Sequence, residues 1–258
     1  MNSVSVDNLS LVLIFGLVLL AMGISQKEKL GLTKDILVAV VRTIVQLFVV
    51  GYILKFIFQV SNVFLSLGMV LIILYNASVQ ANKRNPNKNK KLIYPFLALL
   101  TSTSITLGLL LLSGAIQLIP SQIIPISGML ASNAMTAIGL SYRAMYRSFT
   151  DNRQQVLEKL SLGATSKLAS QEILRESIRT GMQPTIDSAK TVGLVSLPGM
   201  MSGLIFAGVD PVQAIRYQIM VMFMLLSATS LGAVIAAYFA YRHYFNDRAQ
   251  LDFEEEKV

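Results

Sequence analysis

RQQVLEKLSLGATSKLASQEILRESIRTGMQP, residues 153–184, is the longest polar segment of the chain, and its reading decides the fold. Val156, Leu157 and Leu160 recur at helical spacing. Gly163 suits the left-handed residue that closes a helix, and Thr165 or Ser166 can cap the next one. Leu168, Leu174 and Ile178 then form a side to be buried, with Lys167, Gln171, Glu172, Arg175 and Arg179 opposite. Gly181 offers a second stop and Pro184 lies just beyond it. The segment reads as two short helices joined by a bend. Such a pair needs an apolar surface to lie against, in the chain itself or in a partner.

Outside this segment the chain is mostly lipid-soluble. Of 258 residues, 53% are hydrophobic and 14% charged, and mean hydropathy is +0.59. That leaves too little polar surface for a soluble globule and predicts an integral membrane protein. The chain has no Cys and a single His, His243, which excludes disulfides, iron–sulfur ligation and a Cys/His metal cage. A net charge of +8 would suggest nucleic acid in a soluble protein, but here the Lys and Arg lie between apolar stretches, and membrane topology accounts for them.

Working outward, the apolar runs predict seven spans: 9–24, 36–58, 63–79, 95–116, 126–141, 187–207 and 217–241. The fold class is all-α, a polytopic membrane bundle forming one transmembrane domain over 1–258, with residues 142–186 as a cytoplasmic helical segment within it. The first run is short for a core of about 30 Å. Six spans with that run on the membrane surface is the alternative. Pro120 and Pro125 bracket the turn before the fifth span. Pro198 breaks the helical ladder of the sixth, and Gly199 and Gly203 give it a small-xxx-small face, so all three are candidate hinge residues. Asp187 and Lys190, one turn apart, are expected to pair.

The loop at 81–91 holds Lys83, Arg84, Lys88, Lys90 and Lys91 without an acid, which marks the cytoplasmic side. Seven spans then put the N-terminus outside and the C-terminus inside a cell (plasma) membrane, with Lys27, Lys29, Lys34, residues 153–184 and Arg242 also inside. The acidic tail LDFEEEKV at 251–258 reads as a solvated end.

Polar residues within the spans are few. Arg42 and Gln46 share one face of the second span; a central Arg costs about 2.5–3.5 kcal/mol on insertion scales, so both should face a partner helix or a wet cavity. Asn133 and Thr136 lie mid-helix in the fifth span. Met200 and Met201 are soft and flexible. Arg42, Gln46, Asn133, Met200 and Met201 are the transport-path candidates, each with an interhelical contact as the plainer reading. No metal-ligand set is fixed by the pattern. At bilayer depth there is no His, Cys or carboxylate pair for acid–base or nucleophilic chemistry, so no catalytic residue is assigned. No G-x-x-x-x-G-K-[ST] occurs, so the chain binds no nucleotide in the P-loop manner and ATP energy must enter from another subunit. A self-powered secondary transporter would show inverted repeats and buried acids, and neither is visible.

The run at 158–181, EKLSLGATSKLASQEILRESIRTG, resembles the loop by which membrane subunits of ABC transporters dock on their ATPase. Leu162–Thr165, LGAT, matches well; the usual Ala pair is replaced by Lys159 and Leu160, and Glu158 is offset by one position. The block TVGLVSLPGMMSGLIFAGVDPVQAIRYQIMVMF at 191–223, R-x-x-x-Q-L at 42–47 and NAMTA at 133–137 are similar to the Fet-type iron-export permease family (FetB/YbbM), to which plant aluminium-tolerance membrane subunits are related.

The resemblance covers nearly the whole chain. It implies a permease subunit, homodimeric, working with two copies of a separate cytosolic ATPase to export iron. The chain itself would bind no cofactor and no nucleic acid, with ATP used by the partner. Another metal or a small solute is the alternative cargo, and a membrane scaffold the alternative role. The coupling residues implied are Leu160, Gly163, Ala164, Thr165, Leu168, Glu172 and Arg175, with Ala164, Thr165 and Leu168 at the contact and Glu172 and Arg175 at its rim.

Overall fold

A helix that is apolar on most sides has to be surrounded. The helix spanning Pro120–Asp151, α5, meets that condition, with Leu130, Ala134, Ile138, Tyr142, Met145 and Phe149 fully buried along it. The computed structural model describes residues 8–60, 62–88, 90–246 and 248–252, which fall into two compact units, Met1–Ser61 and Asn62–Val258.

The first unit is a helical hairpin of α1 (Asn8–Lys27) and α2 (Thr33–Val60). Ser25 is buried at its turn, where its Oγ accepts from the Leu32 amide at 3.2 Å, and Gly31 takes φ +72°, the left-handed value such a tight turn requires.

In the second unit α3 (Val63–Lys83), α4 (Ile93–Leu112), α8 (Gln171–Thr191) and α10 (Pro211–Ala240) pack around α5. Small residues make the close approaches. Ala228, Gly232, Ala233, Ala236 and Ala237 form the buried stripe of α10, and a methyl group on Gly232 would lie 3.2 Å from Cβ of Ala134. Between α5 and α8 come α6 (Arg153–Ser161) and the single turn α7 (Ser166–Ala169); between α8 and α10 comes α9 (Gly199–Phe206). A 3₁₀ turn, Tyr241–Tyr244, follows α10.

Among the described residues, five helical stretches are long and apolar enough to cross a membrane: Thr33–Val60, Val63–Lys83, Ile93–Leu112, Pro120–Asp151 and Pro211–Tyr244. The all-helical membrane bundle expected from the pattern is what forms, with element ends that differ from the reading. Pro120 is the first residue of α5 and not a turn, because its missing N–H would have been unpaired there anyway. Pro125 lies inside α5, and the helix runs on past Ser141 to Asp151. Gly181 does not stop α8, which continues through Pro184 to Thr191. The break falls at 192–198, where Gly193 has φ +85° and its amide donates to the Ser196 carbonyl at 2.9 Å; Pro198 caps the start of α9 instead of interrupting a ladder. The tail is not solvated throughout: Leu251 packs half-buried against the main core and bridges to Phe245, while residues 253–258 lie outside the described residues.

One end of the second unit gathers several chain segments. The Tyr244 ring stacks on Phe149 at 4.1 Å, the His243 ring lies 4.9 Å from Tyr94, and Asn87 Nδ2 donates to the His243 carbonyl at 3.5 Å. Lys167 of α7 lies 6.0 Å over the Tyr238 ring. The basic loop after α3, the end of α5, the α6–α7 pair and the end of α10 therefore share this end.

Gly181 is buried where α8 crosses α5: a methyl group there would lie 2.6 Å from the Ala137 carbonyl oxygen and on top of Ser141 Oγ. Gly181→Ala should therefore push α8 off α5 and cost about 1–3 kcal/mol, the usual range for overpacking. Gly203→Ala, with nothing within 4 Å, should be tolerated. Thermal unfolding of the detergent-solubilised variants compares the two directly.

Candidate functional site

The polar segment folds as a bent handle. α6 ends where Gly163, at φ +89°, turns the chain, and Thr165 caps α7 by accepting from the Leu168 amide at 3.3 Å. Val156, Ala169, Ile173 and Leu174 are buried in the main core beside Tyr142, Met145 and Phe149, while Leu160 and Ile178 pack against it half-buried. Leu168 departs from the reading: it is 58% exposed, and Ala169 and Ile173 take the buried positions expected of it.

Leu162, 88% exposed, stands out beside it. Lys159 Nζ donates to Glu172 Oε2 at 2.7 Å, tying α6 to α8 across the bend. That hydrogen bond and the Lys159 charge, helped by Arg175, hold the Glu172 carboxyl below its ordinary range.

The result is a cavity of about 350 Å³ lined by Leu162, Ala164, Leu168, Glu172 and Arg175 among others. An apolar floor with a charged rim suits a protein side chain better than a small polar solute. Of the sequence-derived coupling residues, Ala164, Leu168, Glu172 and Arg175 come together here, Gly163 and Thr165 shape the bend, and Leu160 anchors it. Leu162 and Lys159 were not singled out for coupling. Leu162 was legible as a Leu in a polar run; the Lys159–Glu172 tie, between residues 13 apart, was not.

A second region lies beside it along the bundle. The exposed positions of α5 within the apolar stretch and beyond, Ser132, Thr136, Arg143 and Arg147, recur at helical spacing as a polar stripe, facing the same way as few membrane helices allow. Exposed Arg175, Arg179, Gln183, Asp187 and Lys190 form a similar stripe on α8, and Lys190 pairs with Asp187 at 3.7 Å as expected. Between α5, α8 and α10 is a polar cavity of about 150 Å³, lined in part by Asn133, Thr136, Thr185 and Ser188.

The transport-path candidates separate. Asn133 lines this polar cavity, and its Nδ2 donates to the Met129 carbonyl at 2.9 Å. Met201 lines a different, apolar cavity. Met200 packs on the cluster of Ile116, Ile126, Leu130 and Val221 as ordinary core. Arg42 and Gln46 belong to the first unit and are exposed on α2. Among the hinge candidates, Gly199 and Gly203 have nothing within 4 Å of where a methyl group would sit, so their small face is uncovered.

Residues 8–245 match the model of a family described as "Uncharacterised protein family (UPF0014)". The chain belongs to this family. It is 56% identical, over 97% of both chains, to the "Probable iron export permease protein FetB" of Escherichia coli strain K12. It is 37% identical to the "UPF0014 membrane protein YjkA" of Bacillus subtilis over 95% of this chain and 98% of the relative. It is 35% identical to the "Protein ALUMINUM SENSITIVE 3" of Arabidopsis thaliana over 91% and 86%. No solved structure matches the chain significantly. The family match and the apolar helices together make it a multi-pass membrane protein.

The Lys159–Glu172 tie predicts a sign for its pH response. A carboxyl whose folded value is depressed contributes from above its ordinary value and loses the contribution as pH falls through the depressed one, so the tie should persist at neutral pH and open only on acidification. Lys159→Met should return the Glu172 titration, followed by NMR of selectively labelled protein, toward the ordinary carboxylate value.

Proposed function

We propose that this protein is the membrane-spanning subunit of an ABC transporter that exports iron, driven by a separate cytosolic ATPase gripping the α6–α7–α8 handle. The observation that carries the reading is the handle itself. A bend held by Gly163 offers Leu162, Ala164 and Leu168 to solvent between charged rims, in a chain with no P-loop of its own. Two leucines exposed to this degree on a polar segment are unfavourable in water and suit a partner's groove. The cargo assignment rests on similarity to the relative named a probable iron export permease.

Seven crossings follow if α1 and the broken pair α8–α9 join the five apolar spans. α1 has 20 residues, about 30 Å at 1.5 Å per residue, which matches the hydrocarbon core. The handle shares its end of the bundle with the loop carrying Lys83, Arg84, Lys88, Lys90 and Lys91, and a basic end belongs to the cytoplasm. This supports a C-terminus inside and an N-terminus outside. The uncovered face at Gly199 and Gly203 and the exposed polar stripe of α5 favour a second copy of the chain as the partner across the membrane. ATP binding by the partner would pull the handle, α8 would carry the displacement past Gly181, and the non-helical 192–198 segment would let α9 reorient.

Ala164→Glu and Leu168→Glu put an unpaired charge into the contact and should reduce recovery of the ATPase with the affinity-tagged permease at least about tenfold, equivalent to about 1.4 kcal/mol, while membrane insertion stays normal. Unchanged recovery from both would remove the docking role. Reconstitution with a cytosolic ABC ATPase recovered with the tagged permease then tests cargo, since Fe²⁺ should stimulate ATP hydrolysis and Mg²⁺ in excess of that bound by ATP should not.

A further inference from the structure

The apolar cavity beside α9 is the larger one, about 450 Å³, and α10 supplies one wall of it through Gln218, Met222 and Phe223, while Met201 comes from α9. Gln218 is only 6% exposed, and its Oε1 accepts no hydrogen bond from any described residue. Leaving a buried amide oxygen without a donor is unfavourable, so this oxygen is placed for something that enters the cavity. The other groups there that can donate electron pairs are the thioethers of Met201 and Met222.

The polar cavity has a related character. Asn133 spends its Nδ2 donor on the Met129 carbonyl, and Thr136 spends its hydroxyl proton on the Ser132 carbonyl at 3.1 Å. The Asn133 and Thr136 oxygens keep lone pairs that a cation can take. Met222 lines both cavities. Its side chain is buried, unbranched and able to change rotamer at low cost.

We propose that Met222 is the partition between two stations of one cation path. The first station offers the oxygens of Asn133 and Thr136; the second offers the Gln218 oxygen with the Met201 and Met222 sulfurs. This deepens the transporter reading and rests on it. The ligand set selects a class of cargo: a divalent transition cation of borderline softness accepts both oxygen and thioether donors, whereas Mg²⁺ and Ca²⁺ demand oxygen throughout. Neutral donors also bind weakly enough to let the ion leave.

The chain contains no Cys, so single-Cys variants report access without background. Asn133→Cys, Gln218→Cys and Met222→Cys, in the permease–ATPase complex in proteoliposomes, would each be treated with a charged, water-soluble methanethiosulfonate and separately with a lipid-soluble maleimide. The expected result is labelling of all three by the charged reagent, with Fe²⁺ under anaerobic conditions slowing labelling of Met222→Cys at least fivefold and Mg²⁺ having no effect. Labelling of Gln218→Cys and Met222→Cys by the maleimide alone would make the larger cavity a groove for lipid tails and overturn the path. Met222→Leu keeps the volume and removes the sulfur, and should lower Fe²⁺ efflux about tenfold with complex recovery unchanged; wild-type efflux from the variant would likewise overturn the partition. Absence of efflux from the unmodified complex would count against iron transport itself, while the labelling pattern still decides the path.

Discussion

Where α8 crosses α5 there is room for a hydrogen atom and none for a methyl group. Gly181 lies against the Ala137 carbonyl oxygen and Ser141, in the middle of a 21-residue helix that starts at the handle and ends beside the cavities. The remaining architecture depends on this contact. It fixes α8 to the central helix, and through it the exposed Leu162 and Leu168 at one end are connected to Thr185 and Ser188 in the polar cavity farther along. Dispersion and close approach supply this adhesion, since between helices in lipid the hydrophobic effect is largely absent. The alanine- and glycine-rich stripe of α10 repeats the solution against α4 and α5.

Much of the fold was legible because lipid imposes a simple rule: apolar runs long enough to cross must be helical. The polar segment was equally readable up to its bend, since Gly163 and Thr165 adopt the roles their chemistry favours. Three misreadings share a cause. Pro125, Gly181 and Pro184 carry local signals for turns or helix ends, and tertiary packing overrides all three. A glycine that ends a helix and one that lets two helices touch look the same in one dimension; only the opposing Ser141 and Ala137 tell them apart.

The candidate site was readable in fragments. Ala164, Leu168, Glu172 and Arg175 gather in one cavity because they are close in sequence on a bent helix pair. The transport-path residues came from different helices, so sequence could nominate a polar or soft residue within each span but not say which would meet. Asn133 reaches a cavity, Met200 becomes core, and Gln218, hidden in the apolar run of α10, emerges only when its oxygen is found buried without a donor.

The uninterrupted length of α8 has one more consequence. A single stiff element that touches the handle at Glu172 and the polar cavity at Ser188 makes the two places thermodynamically reciprocal. On the proposed reading, whatever factor a partner's grip imposes on occupancy of the cavity, occupancy returns to the grip. In that proposed transporter the helix would be as much a sensor of cargo as a lever upon it, and a loaded bundle would report its state to the engine before any fuel is spent.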